Sequence, residues 1–275
     1  MMSLKTLVKD WCPPFVLNVL RRATARPASP PPRFEGVYST WEEAAARAGG
    51  YDSDAIFART RDAILKVVRG EAAFERDSVI LDRPEYPLFL IASLLHVAAA
   101  SDGRLDILDF GGSLGSSFFQ CRPFVSSIRR LRWSVVEQPH YVAFGKAELE
   151  NEVLRFHRTI AECLSVEHPN VAVLSGVLHC IPSPWGVVDE IIAAGLPYVI
   201  IDRQPLSPLP TDRVSISRVP KEIYEGSYPL WWLSEPRFRA AWAAWYDVVA
   251  ESELAPLETP VGLLPRRQIL LARRR

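Results

Sequence analysis

From Leu105 onward the chain alternates short β-rich runs with longer mixed stretches: LDILDF, WSVVE, VLRFH, VAVLSG and YVIIDR. The intervals between these runs leave room for crossover helices, which is the spacing of parallel strands in a doubly wound sheet. YVIIDR is apolar nearly throughout, as a central strand covered on both faces must be. Upstream the period lengthens to that of helices. Thr40 precedes WEEAAARAGG, where Glu42 and Glu43 suit a helix's first turn and Gly49-Gly50 its end. A second helical pattern runs from Asp54 to about Arg69 and a third from about Pro87 to Ala100. At the other end, LETPVGLLPRRQILLARRR reads as strand, Gly/Pro turn and strand. The predicted fold class is therefore α/β: a doubly wound, mostly parallel, Rossmann-like sheet with an N-terminal helical extension and a C-terminal antiparallel hairpin.

The stiff PASPPP stretch at Pro27 to Pro32 divides the chain. Before it, residues 1–32 form a basic amphipathic segment and a linker, with Lys5, Lys9, Arg21, Arg22 and Arg26 set among apolar positions. Residues 33–104 are expected to be a helical preface that caps the ligand pocket. Residues 105–275 are the Rossmann-like domain, with an aromatic-rich insertion at about 219–246. A chain of 275 residues, 48% of them hydrophobic, is long enough for one large core.

Charge excludes more than it suggests. Lys and Arg total 32, as do Asp and Glu, so no basic footprint points to nucleic acid. The basic N-terminal segment and the terminal arginines (Arg266, Arg267, Arg273 to Arg275) allow peripheral contact with an anionic inner membrane, or are solvated ends. No apolar run reaches the roughly 18 to 20 residues of a spanning helix. Pro13, Pro14 and Arg21-Arg22 argue against a cleaved signal, so the expected location is cytoplasmic. Cys12, Cys121, Cys163 and Cys180 are far apart, and the five histidines are scattered, so buried reduced thiols and no catalytic metal are expected.

In a doubly wound sheet, ligands bind beyond the carboxyl ends of the strands. There the first β-run leads into Asp109-Phe110-Gly111-Gly112-Ser113-Leu114-Gly115, ahead of a stretch from Phe118 to Ile128 that can be helical. Glycines at such a turn let a ligand approach the main chain, although any tight turn needs them. Glu137 ends the next strand, 22 positions after Gly115, where a carboxylate can accept hydrogen bonds from both hydroxyls of a ribose. The loop lacks the G-x-G-x-x-G spacing of a nicotinamide site, and Asp109 suits a ligand ending in an ammonium group better than one carrying phosphates. The expected cofactor is S-adenosyl-L-methionine.

The stretches GVYSTWEEAAARAGGYDSDAI, LDFGGSLGSSFFQ, WSVVEQPHYVAFGK, VLSGVLHCIPSP, YVIIDRQPL and VPKEIYEGSYPLWWLS resemble a bacterial family of class I methyltransferases whose genes lie among those for surface polysaccharides. The resemblance covers most of the chain from about Phe34. It implies a class I methyltransferase fold, with cofactor positions at Asp109, Gly111, Gly112, Ser113, Gly115 and Glu137, walled by Ser175, Gly176 and Leu178. Ser113 departs from the central glycine usual in such loops, which narrows the space beside the cofactor's amino acid moiety.

Methyl transfer gains most from holding the acceptor in line, and a hydroxyl acceptor must also lose a proton. His179 and Asp202, after the fourth and fifth strands, are the candidate catalytic bases. His140, Arg203, Tyr224, Tyr228 and Trp231 are candidate substrate residues, since aromatic faces among polar groups suit a sugar ring; core packing is the competing account for the aromatics. The leading expectation is O-methylation of a sugar or glycan precursor. The alternatives are a non-catalytic member of the fold serving a glycan assembly complex, and a nicotinamide-dependent sugar-modifying enzyme.

Overall fold

The computed structural model describes residues 33–49, 54–76, 79–81, 83–219 and 226–274. The basic segment 1–32 and the candidate substrate residue Tyr224 lie outside the described residues.

The elements in chain order are β1 (Phe34–Tyr38), α1 (Trp41–Ala45), α2 (Asp54–Val68), β2 (Phe74–Arg76), β3 (Val79–Leu81) and α3 (Leu88–Ala100). The central part follows as β4 (Arg104–Phe110), α4 (Ser116–Val125), β5 (Arg130–Val136), α5 (Pro139–Glu148), β6 (Leu154–His157), α6 (Ile160–Val166) and β7 (Val171–Ser175). A 3-10 turn at Leu178–Cys180 leads to α7 (Pro184–Ala194), β8 (Tyr198–Ser207), β9 (Arg213–Arg218), β10 (Ser227–Ser234), α8 (Glu235–Ala243), β11 (Tyr246–Thr259) and β12 (Gly262–Arg273).

The five strands anticipated from the β-rich runs pair in parallel in the order β6-β5-β4-β7-β8. The hairpin β11–β12 continues that sheet, with β12 running antiparallel to β8. The reversal of direction on either side of β4 is the topological switch point at which such sheets bind ligands. The architecture is a mostly parallel α/β sheet finished by an antiparallel hairpin.

Alternation along each central strand explains why both faces are covered. Ile107, Val171, Val173 and Ile200 face a core layer shared with α3, α4 and α5, through residues such as Leu94, Phe118 and Val142. Their neighbours Leu108, Ala172, Leu174, Val199 and Ile201 face the opposite layer, with Ile160 of α6, Val188 and Ile191 of α7, and Phe238 and Trp242 of α8. A one-residue slip in any of these strands would exchange the two sets. Cys121 and Cys163 are buried, one in each layer, and burial pushes the Cys163 thiol up to about 12 and that of Cys121 still higher, so both stay protonated.

The preface departs from the all-helical expectation. The three helical patterns appear as α1, α2 and α3, and Thr40 caps α1 by accepting from the Glu43 amide. Ahead of and between them the chain also makes strands. β1 pairs antiparallel with β9, and β2 with β3. The partner of β1 lies some 180 residues away, so local periodicity carried no sign of it. The aromatic insertion is likewise a strand and a helix: β10 pairs antiparallel with β9 and meets the end of β8 in parallel, and α8 follows.

Candidate functional site

A cavity of about 740 Å³ opens across the carboxyl ends of the central strands, within the size range of ligand pockets. Its floor takes Asp109, Gly111, Gly112 and Ser113 from the β4 loop, Glu137 from the end of β5, Ser175 and Gly176 from β7, and Arg203 from β8. Its roof comes from the preface, through Trp41, Ala45, Ile56, Thr60 and Glu75.

The β4 loop is tightly determined. Gly111 has φ +70°, and a Cβ there would stand 2.3 Å from Val177 Cγ2. A Cβ on Gly112 would stand 2.5 Å from Asp109 Oδ2, so this glycine makes room for the carboxylate. Ser113 takes the left-handed conformation at φ 55° with a side chain present, a position that costs a non-glycine residue roughly 1–2 kcal/mol. Gly115 does not line the cavity; at φ 89° it turns the chain into α4.

Two carboxylates bracket this loop. Asp109 is 1% exposed, its Oδ2 accepts from the buried Trp133 indole (2.9 Å), and burial raises its pKa to about 7. Glu137 accepts from the Ser113 amide through Oε2 (3.2 Å) and from the Gln138 amide through Oε1 (2.9 Å). Burial outweighs these two bonds and holds its carboxyl above the usual range. Glu137 therefore serves the loop as well as the cavity, by fixing the distance between the ends of β4 and β5.

At the other end, β8 carries a bulge. Against β12, Gln204 pairs with Arg267 and Ile201 with Ile269, so three steps on β8 match two on its neighbour. Arg203 sits in the bulge at φ 56°, and its side chain enters the cavity. Asp202 points the other way. It is 1% exposed, its Oδ1 accepts from Gln268 Nε2 and its Oδ2 from Ser175 Oγ, both at 2.6 Å. It does not line the cavity itself; its link to the cavity is Ser175.

The remaining sequence candidates divide. Leu178 is fully buried in the α7-side core. His179 is half-buried in the 3-10 turn and does not line the cavity, although Cys180, Ile181 and Pro182 beside it do. His140 packs edge-on against Phe57 of α2 (centroids 5.0 Å apart), while the adjacent Tyr141 reaches the wall. Tyr228 packs on the small core around Trp232, and Trp231 stacks on Trp41 (6.1 Å), behind the roof. The insertion contributes Pro229 to the wall. The aromatic stripe also splits, with Trp242 and Tyr246 buried and Trp245 exposed.

Several wall residues were not singled out in the sequence. Glu75, 2% exposed, accepts a short hydrogen bond from Ser116 at the start of α4, and its carbonyl accepts from Gln120 Nε2 at 2.7 Å. This pins β2 to the helix that follows the loop. Tyr141 bonds to Thr60, and burial raises its hydroxyl pKa. Arg158 follows β6 at the far edge. Glu75 and Tyr141 depend on contacts between segments distant in sequence, whereas Arg158 stands one residue past β6, where the strand-end rule could have found it.

No family model matches the chain, and no curated protein matches it by sequence. Among solved structures it is similar to the N-terminal domain of EvdMO1 with SAH bound (14% identity, 78% of this chain and 97% of that one, TM-score 0.46). It is also similar to a SAM-dependent methyltransferase from Methanosarcina mazei (15% identity, 68% and 97% covered, TM-score 0.46). A third is magnesium protoporphyrin IX methyltransferase (ChlM) from Synechocystis PCC 6803 with bound SAM (10% identity, 100% and 99% covered, TM-score 0.41). The likeness is one of fold.

Proposed function

We propose that the chain is a methyltransferase that binds S-adenosylmethionine across the ends of β4 and β5 and methylates an oxygen of a sugar or glycan precursor for surface polysaccharide. One observation carries this reading. The residues singled out in the loop, Asp109, Gly111, Gly112 and Ser113, share one cavity wall with Glu137, Ser175 and Gly176.

The chemistry of these groups fits the cofactor. Glu137 stands where a carboxylate receives ribose hydroxyls, and Asp109, ionised, complements an ammonium group or a sulfonium. The glycines bring the ligand onto the backbone. Bound there, the cofactor supplies an electrophilic methyl group that leaves with the sulfur's bonding electrons remaining on sulfur. The chain's part is to hold the acceptor oxygen in line and to take its proton. Ser175 Oγ, donating to Asp202 Oδ2, receives that proton as its own passes to the aspartate. Asp202 so acts through a hydroxyl that faces the cavity, and Gln268 holds it in place. His179, off the cavity wall, is the weaker of the two candidate bases. We extend the proposal to a cytoplasmic site of action, with the basic termini resting on the inner membrane where lipid-linked glycans are assembled. Among the described residues no helix is long and apolar enough to cross a membrane.

Calorimetric titration with S-adenosylmethionine and S-adenosylhomocysteine tests the reading, with the Gly111→Arg/Glu137→Ala double variant as control. Micromolar binding that disappears in the control supports it. Absence of binding to either compound sinks it, and leaves a non-catalytic partner protein as the better account.

A further inference from the structure

The cavity wall changes character from one side to the other. Asp109, Glu137, Glu75 and Arg158 stand at or just past the ends of β4, β5 and β6 and on the β2 strand docked on α4. Around the ends of β7 and β8 the wall is made instead by Trp41 and Ala45 of α1, Ala48 beyond it, Ile181 and Pro182 after the 3-10 turn, and Pro229 of β10. Both α1 and the 3-10 turn pack on β10, so these side chains close round one side of the cavity. Among the described residues, the polar side chains on that side are Ser175, Cys180 and Arg203, and each is engaged within the protein. Ser175 Oγ donates to Asp202, and Cys180 Sγ stands 3.8 Å from the Gly176 carbonyl oxygen. Arg203 Nε stands 3.4 Å from Ser175 Oγ and 3.7 Å from Asp202 Oδ2.

The apolar side is held in place by its own framework. Thr40 caps α1, and the buried Ala44 packs on Val214 and Ile216 of β9. Trp41 and Ala45, four positions apart, therefore share the helix face turned to the cavity, with Ala48 farther along the same side. Trp231 stacks on Trp41 at 6.1 Å and fixes the plane of its ring. Arg47, the cation of this turn, is drawn away, since its guanidinium lies over the Tyr38 ring and bonds to the Glu43 carbonyl. Pro182 and Pro229 bring no backbone N–H. A hydroxyl pressed against this wall exchanges water for carbon, whereas a methyl group gains by leaving water.

A cofactor with its ribose at Glu137 and its amino acid moiety at the β4 loop leaves this side for the acceptor. We propose that the acceptor is a 6-deoxy sugar. Its C-methyl group and the apolar edge of its ring lie against Trp41, Ala45, Ile181 and Pro229, and the hydroxyl to be methylated lies at Ser175. This rests on the methyltransferase reading above and narrows its substrate class. In the parent hexose the sixth carbon carries a hydroxyl, which the same wall would strip of water.

The test titrates protein saturated with S-adenosylhomocysteine against two pairs of sugars that differ only in the hydroxyl on the sixth carbon, L-rhamnose with L-mannose and L-fucose with L-galactose. Saturation-transfer NMR follows which sugar protons touch the protein. The expected result is that the deoxy member of at least one pair binds about tenfold more tightly than its parent, and that its methyl protons receive the strongest transfer. Trp41→Ala should remove this preference, and Ala45→Asn, on the same face of α1, should reduce it, with S-adenosylhomocysteine affinity unchanged in both. If Trp41→Ala does not fold, Ala45→Asn decides. Equal or tighter binding of the parent sugars, no binding of any of the four, transfer that bypasses the methyl group, or a preference that survives the variants overturns the inference while leaving the cofactor reading intact. Failure of S-adenosylhomocysteine to bind the wild type removes the methyltransferase reading and this inference together.

Discussion

The two ends of the cavity are built on different scales. At the β4–β5 end, the loop from Asp109 to Gly115 is one short stretch, closed by its own turn bond from the Gly115 amide to the Gly112 carbonyl. Its carboxylate and its spacing to β5 are set by Trp133 on the adjacent strand and Glu137 just past that strand's end. At the β7–β8 end, Ser175, Arg203 and Asp202 depend on Gln268, 66 positions farther along, and on a bulge that exists only because β12 pairs with β8. The first end is rigid by backbone conformation, and the second by side-chain bonds across strands. Substitutions in the first should therefore act on stability and cofactor binding, and those in the second on turnover.

The largest effect that would break this contrast is expected at Gly111. Gly111→Ala meets Val177 at 2.3 Å with an unfavourable φ, and should cost about 4 kcal/mol in denaturant unfolding along with cofactor binding. A neutral result would mean that the loop is not determined by its backbone. At the other end, Asp202→Asn, at a residue that does not line the cavity, should lower kcat about 100-fold while leaving S-adenosylhomocysteine affinity unchanged, as single-turnover kinetics and calorimetry can show. Loss of cofactor affinity in this variant would merge the two ends.

Removing one carboxylate bond from the first end sharpens the comparison. Glu137→Gln, which keeps the shape but not the charge, should weaken S-adenosylmethionine binding about tenfold with little change in kcat at saturation.

The pH response of Asp109 has a defined sign. Its folded pKa of about 7 lies above the ordinary 3.8, so the native state holds the proton longer than the unfolded chain. Its contribution is full below about 3.8 and is lost as pH rises through about 7, which lowers stability across that window. Asp109→Asn should flatten this part of the pH–stability curve. Because only the ionised carboxylate attracts a cation, S-adenosylmethionine affinity of the wild type should rise between pH 6 and about 8, a trend lost in Asp109→Asn. The smallest effect is expected from Ser113→Gly, which relieves a left-handed side chain and should stabilise the loop by about 1 kcal/mol.

Much of the fold and part of the site were legible from the residues alone, for identifiable reasons. The runs from LDILDF to YVIIDR are apolar because both faces of their strands are covered, and that burial needs no knowledge of which strand pairs with which. The turn from Asp109 to Gly115 and the place of Glu137 beside it were legible because strand ends and glycine conformations are local. Strand β1 was not legible, because its pairing with β9 joins segments far apart in the chain. Glu75 reaches the cavity only because the preface folds over the sheet, while Tyr141 stands in the first turn of α5 and bonds there to Thr60 of the preface.

The β8 end shows the same division within three residues. YVIIDR announced a buried strand ending in an aspartate and an arginine, and the chain's own pattern settled no more than that. The bulge turned Asp202 inward to Ser175 and Gln268 and sent Arg203 into the cavity. Which of two adjacent side chains faces a ligand depends on strand register, and register is set by partners that folding alone brings together.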